Sequence, residues 1–295
     1  MPLPTRSPQV IGALCGVAAA VAWSAGLVAA RHGVLIGFSP EDLAFHRFVW
    51  AGLFLLPIVW RAGLPQMAGI GWGRGLLICV LAGPVQAILS YTGFTLAPLG
   101  HGAVIHPGGA MLGGLLLAYF VLHEHLRTAR VIGAVAMLAG LVLLSVEALA
   151  TIGRHGFVGD LLFLSAGLFW AVFTTLLRLW NLPARTAAAV IGTLSLLVYG
   201  PIHAVFFGFD RMIAVGWWEN LLQIAVQAIF AGTLAILLFA RAVTLLGAGG
   251  ASVFPGIVPA ATVLIGFLTI GETPTLVQLL GLAIVAVGFR LAVKP

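Results

Sequence analysis

Charge is scarce in this sequence. Of 295 residues, 7% are Asp, Glu, Lys or Arg, whereas 61% are hydrophobic. A water-soluble domain so poor in charge has too little polar surface to cover itself. Lys294 is the single lysine, and the sequence contains no G-x-x-x-x-G-K-[ST] loop to hold the phosphates of ATP. The composition therefore indicates a chain solvated by lipid and excludes an ATP-driven pump of the P-loop type.

Patterns of catalytic and metal-binding residues are also missing. The "HEH" at 123–125 lacks the helical turn between the two zinc-binding histidines of H-E-x-x-H, and no serine lies in a G-x-S-x-G turn. Cys15 and Cys79 fall in apolar stretches, where isolated thiols behave as small apolar side chains. Basic residues are scattered, which argues against a nucleic-acid partner. We predict no catalytic residue, metal site or cofactor.

Long apolar stretches fill the chain from end to end. Each has roughly twenty residues, enough to cross about 30 Å of hydrocarbon, and the connections between them are too short for a separate catalytic domain. We predict an all-α integral membrane protein of ten transmembrane helices around a central cavity. The predicted spans are 10–30, 42–60, 73–95, 100–122, 128–149, 158–179, 184–206, 218–245, 248–270 and 275–292.

The placement of basic residues predicts the orientation. If the N-terminus is cytoplasmic, most arginines lie at the inner ends of the spans, whereas the outer side receives Arg31, Arg154 and Arg211. This bias satisfies the positive-inside rule. We therefore predict a multi-pass protein of the inner (plasma) membrane with both termini in the cytoplasm.

The sequence repeats at an offset of 148 residues. The acids Glu124 and Glu272 mark the two copies, and we predict two five-helix halves, 1–149 and 150–295. Because five is odd, the second half enters the membrane from the opposite side, which is the inverted arrangement found in many secondary transporters. The matched pairs are Gly102 and Gly250, Ala103 and Ala251, Pro107 and Pro255, Gly108 and Gly256, Glu124 and Glu272, Gly133 and Gly281, and Gly140 and Gly288.

Particular segments resemble a known family. The stretch "AVTLLGAGGASVFPGIVPAATVLIGFLTIGETPTLVQLLGLAIVAVGFRL" at 242–291 is similar to the end of an EamA-type repeat of the drug/metabolite transporter superfamily. "AWS" at 22–24 and "FWA" at 169–171 resemble the tryptophan-bearing first helices of its two repeats. Within the superfamily, the chain resembles the aromatic amino acid exporters of the YddG type. The resemblance implies a carrier in which helices 1–4 and 6–9 enclose a central cavity, and export of small metabolites from the cytoplasm.

Polar and aromatic side chains deep in these helices are the candidates for substrate binding. Gln86 and Ser90 share one face of helix 3, and Gln223 and Gln227 repeat that spacing in helix 8. A lone amide facing lipid is costly, so both faces should point inward. The tryptophans offer flat apolar walls, although packing between helices explains them equally well. The predicted substrate-binding set is Trp23, Ser24, Gln86, Ser90, Tyr91, His106, Trp170, Gln223, Gln227 and Phe254.

Two further groups have candidate roles. Pro107 and Pro255 each remove a backbone hydrogen bond and are predicted to kink their helices, as a gate requires. His46 and Arg47 are candidate contacts for a proton or a substrate carboxylate. The alternative for Arg47 is to extend toward the outer surface or to pair with Asp42 or Glu41. No carboxylate lies at mid-membrane in the predicted spans, which favours uncoupled transport.

Glu272 is predicted to have a structural role. In "GETPT" we expect Thr273 to cap helix 10, Pro274 to lie in its first turn, and Glu272 to lie near the positive end of the helix dipole. Taken together, the sequence predicts a secondary, ATP-independent exporter of aromatic or large neutral amino acids, working by alternating access. The alternatives are a channel for a small polar solute and a proton-antiport drug or metabolite exporter. The expected partners are a small-molecule substrate and the lipid bilayer, and a monomer is left open.

Overall fold

All regular structure in the described residues is helical. The computed structural model describes residues 8–123, 128–151, 153–251 and 254–293. Within them, seven helices are long and apolar enough to cross a membrane, and three shorter apolar stretches are Val131–Leu144, Phe254–Ile270 and Leu276–Leu291. We group the helices into α1 (Pro8–Ile36), α2 (Pro40–Gln66), α3 (Trp72–Leu96), α4 (Leu99–Phe120), α5 (Thr128–Thr151), α6 (Arg154–Leu179), α7 (Ala184–Phe206), α8 (217–251), α9 (Phe254–Ile270) and α10 (Leu276–Val293).

The two ends of the bundle are named from the predicted orientation. The outer end is the one at which α1 ends at Ile36 and α2 begins at Pro40. A capping box fixes the start of α2: Asp42 N donates to Ser39 Oγ at 3.1 Å, and Ser39 N donates to Asp42 Oδ2 at 2.9 Å. Such a box satisfies two backbone N–H groups that a helix leaves unpaired. It also holds the Asp42 carboxylate at the outer end.

The boundary between α8 and α9 differs from the predicted one. The helix that includes Ala235 continues to Ala251, so the predicted ninth span, 248–270, begins too early. The glycines and alanines at 247–251 therefore continue the helix and do not end it. Pro255 instead lies in a short 3₁₀ turn, Phe254–Ile257, where its missing N–H is tolerated. It therefore marks the start of α9, and the predicted kink within a helix is wrong at this position.

Helices α5 and α10 cross at glycines. A Cβ added to Gly140 would lie 3.1 Å from the carbonyl oxygen of Gly281, and one added to Gly288 would lie 2.6 Å from that of Gly133. Gly140 and Gly288 are 148 residues apart, and so are Gly133 and Gly281. Replacing each glycine of the first contact by its counterpart in the other half therefore gives the second contact. Only antiparallel helices allow both contacts, so α5 and α10 run in opposite directions.

A second pair of contacts behaves in the same way. A Cβ on Gly12 would lie 3.0 Å from Leu245 Cβ, and one on Gly159 would lie 3.0 Å from Ala97 Cβ. Positions 12 and 159 are 147 apart, and positions 97 and 245 are 148 apart. The packing of α1 on α8 is thus matched by the packing of α6 on α3.

Apolar residues pack differently along the bundle. A large cluster in the middle and outer part includes Phe94 and Phe163, whose rings lie 4.9 Å apart. At the inner end, the buried apolar residues form separate clusters. One joins α2, α3, α6 and α7 around Val59 and Leu194, and another joins α1, α8 and α9 around Phe254.

Candidate functional site

A cluster of polar side chains lies between α2, α3 and α8. Gln227 Oε1 accepts from Arg47 Nη1 at 3.0 Å and from the Tyr91 hydroxyl at 3.4 Å. Gln227 is completely buried and Tyr91 nearly so, whereas Arg47 is partly exposed. Three residues that the sequence singled out separately therefore meet at one place, which we call the Arg47 cluster.

The local backbone makes room for the Arg47 cluster. Gln227 lies in a wide π-helical stretch of α8, Ile224–Leu234, a conformation that often occurs at functional sites. On α1, a Cβ at Gly26 would lie 3.2 Å from Arg47 Nη1. The missing side chain at Gly26 thus leaves space for the guanidinium. The role of Gly26 is not predictable from the sequence, because one glycine among 38 carries no distinguishing signal.

Gln86 and His106 form a second polar pair that joins α3, α4 and α6. Gln86 Nε2 donates to His106 Nε2 at 3.0 Å and also lies 3.3 Å from the carbonyl oxygen of Ala166. Ser90, one turn further along α3, is 3% exposed, and its hydroxyl has no hydrogen-bond partner within the described part of the chain. The predicted polar face of α3 does point into the bundle.

Arg47 forms no ion pair with any Asp or Glu of the described residues. Asp42, an acid predicted as an alternative partner, instead contacts His203 Nε2 at 3.1 Å and takes part in the capping box of α2. The alternative in which Arg47 pairs with Asp42 is therefore wrong. Its physical reason is that the guanidinium turns into the bundle toward Gln227, away from the start of α2.

An ion pair joins four segments at the outer end. Arg31 Nε lies 2.5 Å from Glu272 Oε1, Leu99 N donates to Glu272 Oε2 at 2.8 Å, and Arg31 Nη1 donates to the carbonyl oxygen of Phe94. These contacts connect α1, the end of α3, the start of α4 and the linker before α10. A cavity of about 370 Å³ lies beside the pair. These contacts give Glu272 a structural role that the sequence did not predict, in addition to the one expected near the start of α10. Its sequence partner Glu124 lies outside the described residues.

The start of α10 differs from the prediction. Gln278 N donates to Thr275 Oγ1 at 3.1 Å, and Thr275 N donates to Gln278 Oε1 at 3.3 Å. The capping residue is therefore Thr275, and the predicted cap at Thr273 with Pro274 in the first turn is wrong. The physical reason is that Thr275, and not Thr273, has a glutamine three positions later to complete a capping box.

Histidines and carboxylates form further pairs at the outer end. His101 Nδ1 lies 3.0 Å from Asp160 Oδ1, with both residues almost fully buried, and His101 Nε2 lies 3.9 Å from Glu147 Oε2. His46 Nε2 lies 2.9 Å from Asn220 Oδ1. His46 thus takes part in the packing of the outer end and is not a member of the Arg47 cluster.

The two tryptophans have different surroundings. The Trp23 ring lies 5.3 Å from that of Phe239 and packs against alanines of α1 and α8, as the packing interpretation predicts. Trp170 lies nearly two full turns after Phe163, on the same face of α6. Phe163 is fully buried, whereas Trp170 is 41% exposed. The Trp170 ring packs against that of Phe173, with 5.2 Å between the ring centres.

The remaining candidates connect helices or pack apolar surface. Ser24 Oγ lies 2.8 Å from the carbonyl oxygen of Ala20 and 3.2 Å from that of Val258, and Gln223 Nε2 donates to the carbonyl oxygen of Ala29 at 2.9 Å. The final two are Phe254, which packs against Gly16 in the inner-end cluster, and Pro107, which lies within α4 one residue after His106.

Comparison with known proteins identifies the family of this chain and a solved structure that shares its fold. The profile of the EamA-like transporter family matches residues 10–146 and again residues 157–294. The Uncharacterized transporter YyaM of Bacillus subtilis (strain 168) is 24% identical over 267 residues, covering 85% of this chain and 83% of that protein. A crystal structure of a further protein superposes with a TM-score of 0.64 at 18% identity and covers 98% of this chain and 96% of that one.

Proposed function

Since this chain belongs to the EamA-like transporter family, and is therefore a multi-pass membrane transporter, we propose that it exports small metabolites without ATP, in particular aromatic or large neutral amino acids. The observation that carries this proposal is the Arg47 cluster, a set of polar side chains that includes a charged one in the interior of the bundle. Such groups are costly in lipid and are kept where they bind a solute or each other. The choice of amino acids rests on the resemblance of the sequence to YddG-type exporters described in the sequence analysis.

The two halves of the proposed carrier are 1–149 and 150–295, related by inversion, with both termini in the cytoplasm. Three observations support this division. The family profile matches twice, and the matched stretches begin 147 residues apart. The contacts of Gly140 with Gly281 and of Gly288 with Gly133 exchange under the offset of 148. The packing of α1 on α8 has a counterpart in that of α6 on α3.

The contacts at the two ends of the bundle support alternating access as the mechanism. At the outer end, Arg31, Glu272 and the His101–Asp160 pair tie helices of both halves together. At the inner end, the two halves meet instead through separate clusters of apolar side chains, which are free to slide past one another. We propose that this state is closed outside and admits substrate from the cytoplasm. Rocking of the halves then breaks the outer contacts and releases the substrate.

Counterflow in proteoliposomes tests the proposal. Purified protein is reconstituted with unlabelled phenylalanine inside, and labelled amino acids are supplied outside, with and without a pH gradient. We expect saturable uptake of aromatic and large neutral amino acids that is stimulated from the opposite side and does not depend on the pH gradient. Gln86→Ala should slow this exchange because His106 loses its partner, whereas Gln66→Ala, at an exposed turn, should not.

Other outcomes would favour the alternatives. Flux that never saturates and shows no stimulation from the opposite side would identify a channel. Uptake that follows the pH gradient and disappears in His106→Ala would identify a proton antiporter. If no amino acid exchanges and none competes, the proposed substrate class is wrong.

A further inference from the structure

Arg47 is a permanently charged side chain inside the bundle. It lies seven residues after Pro40, which places it about 10 Å along α2 at the usual helical rise. Its neighbours come from the interior: Gln227 on α8 and Gly26 on α1. A guanidinium in this position keeps its charge at all accessible pH values. The protein therefore maintains a positive charge where lipid and apolar side chains would otherwise disfavour one.

No carboxylate of the described residues neutralises this charge. Asp42 contacts His203, Asp160 contacts His101, and Glu272 contacts Arg31, all at the outer end. These acids are held by contacts of their own and cannot reach the Arg47 cluster without breaking them. An anion that enters the cluster would meet a cation with no acidic competitor among these residues.

The hydrogen-bonding groups of the cluster are mainly donors. A guanidinium has five N–H groups in a planar fork, and the contact with Gln227 Oε1 uses one nitrogen. Gln227 Nε2 is buried and has no hydrogen-bond partner in the described part of the chain. Arg47 also interacts with the Tyr91 hydroxyl, and as a residue it is partly exposed. Its fork has more N–H groups than these two contacts use. This combination suits two carboxylate oxygens, which an arginine fork binds in a bidentate manner.

We propose that Arg47 binds the carboxylate of the transported solute and that this carboxylate, more than an amino group, is what the site recognises. Gln227 positions the guanidinium through its Oε1 atom and offers its free Nε2 to the bound oxygen. No described acid lies in the cluster to pair with an ammonium group. The inference rests on the proposed transport of amino acids and specifies which end of such a molecule the protein binds.

Competition with matched analogues tests which end of the substrate the site recognises. Exchange of labelled phenylalanine is measured against 3-phenylpropionate, which lacks the amino group, and against phenethylamine, which lacks the carboxylate. We expect 3-phenylpropionate to compete and phenethylamine to be about 10- to 100-fold weaker, the factor that a hydrogen bond to a charged group contributes. Equal competition by the amine would overturn the proposal.

Substitution of Arg47 tests whether this side chain binds the carboxylate. We expect Arg47→Gln to raise KM for phenylalanine by about 10- to 100-fold and to remove the advantage of 3-phenylpropionate over phenethylamine. Arg47→Lys keeps the charge without the fork and should give a smaller rise in KM, with the same preference for the acid. The matched control is Arg154→Gln, an exposed arginine at the start of α6, which should leave KM unchanged. An unchanged KM in Arg47→Gln would contradict the assignment.

A binding measurement keeps the two proposals separate. Thermal stabilisation of the purified protein by 3-phenylpropionate should occur in the wild type and be lost in Arg47→Gln. If the wild type exchanges no amino acid yet shows this Arg47-dependent stabilisation, the proposed substrate is wrong and the carboxylate site stands. If exchange occurs and stabilisation is the same in both proteins, the carboxylate site is wrong. Should Arg47→Gln fail to fold, Arg47→Lys and the competition in the wild type decide the matter.

Discussion

The two ends of the bundle are held together by different forces. At the outer end, charged and polar side chains meet at defined distances, as in Arg31 with Glu272 and His101 with Asp160. At the inner end, apolar side chains such as Leu194 and Phe254 fill separate clusters. Polar contacts are directional and are lost when their partners separate, whereas apolar contacts tolerate sliding. The outer end is thus suited to one well-defined closed arrangement, and the inner end to several.

The largest effect is expected at the most buried pair of the outer end. Asp160→Ala leaves His101 without its 3.0 Å partner in an environment where both residues are almost inaccessible. Breaking one partner of a buried pair costs about 3–5 kcal/mol. Unfolding followed in detergent should show that loss of stability, and the exposed Asp210→Ala should not. Equal stability of the two variants would mean that the pair does not stabilise the outer end.

A smaller effect is expected for the contact that joins four segments. Glu272→Gln removes the charge that Arg31 and Leu99 N share, and a hydrogen bond to a charged group contributes about 1.5–3 kcal/mol. The equilibrium should shift toward the state that is open outside. Labelling of Ser90→Cys by a membrane-impermeant thiol reagent from outside should become faster, in a background where Cys15 and Cys79 are replaced. Thr273→Val, an exposed neighbour in the same linker, should leave the labelling rate unchanged. If labelling is also unaltered in Glu272→Gln, the contacts of Glu272 do not hold the outer end closed.

The smallest effect is expected at the inner end. The Arg74 guanidinium lies 5.1 Å from the centre of the Trp180 ring, a cation–π contact worth about 0.5–1 kcal/mol at an exposed site. Arg74→Gln should reduce stability by that amount and should not change outside labelling of Ser90→Cys. The exposed Arg61→Gln is the control. A loss as large as that of Asp160→Ala would show that charge also holds the inner end, contrary to the comparison.

The sequence is a good guide to the helices and a poorer guide to their contacts. Apolar length predicts the segments closely, because membrane thickness imposes it. The cap at Thr275 depends on a side chain three residues away, so short-range pattern could have found it. The contact of Arg31 with Glu272 joins positions 241 residues apart and depends on how the helices pack. Likewise, Gln86 and His106 are predictable as inward-facing residues, but not as partners.

The crossing of α5 and α10 bears on how such a chain could arise. Its two glycine contacts exchange with each other under the offset of 148, so the matched glycines have the same role in both helices. A single five-helix polypeptide inserted into the membrane in both orientations would already have made this contact with itself. If the proposed halves arose from such a polypeptide by gene duplication, these glycine contacts needed no further change. Later divergence is free to act elsewhere, as in the unequal surroundings of Trp23 and Trp170.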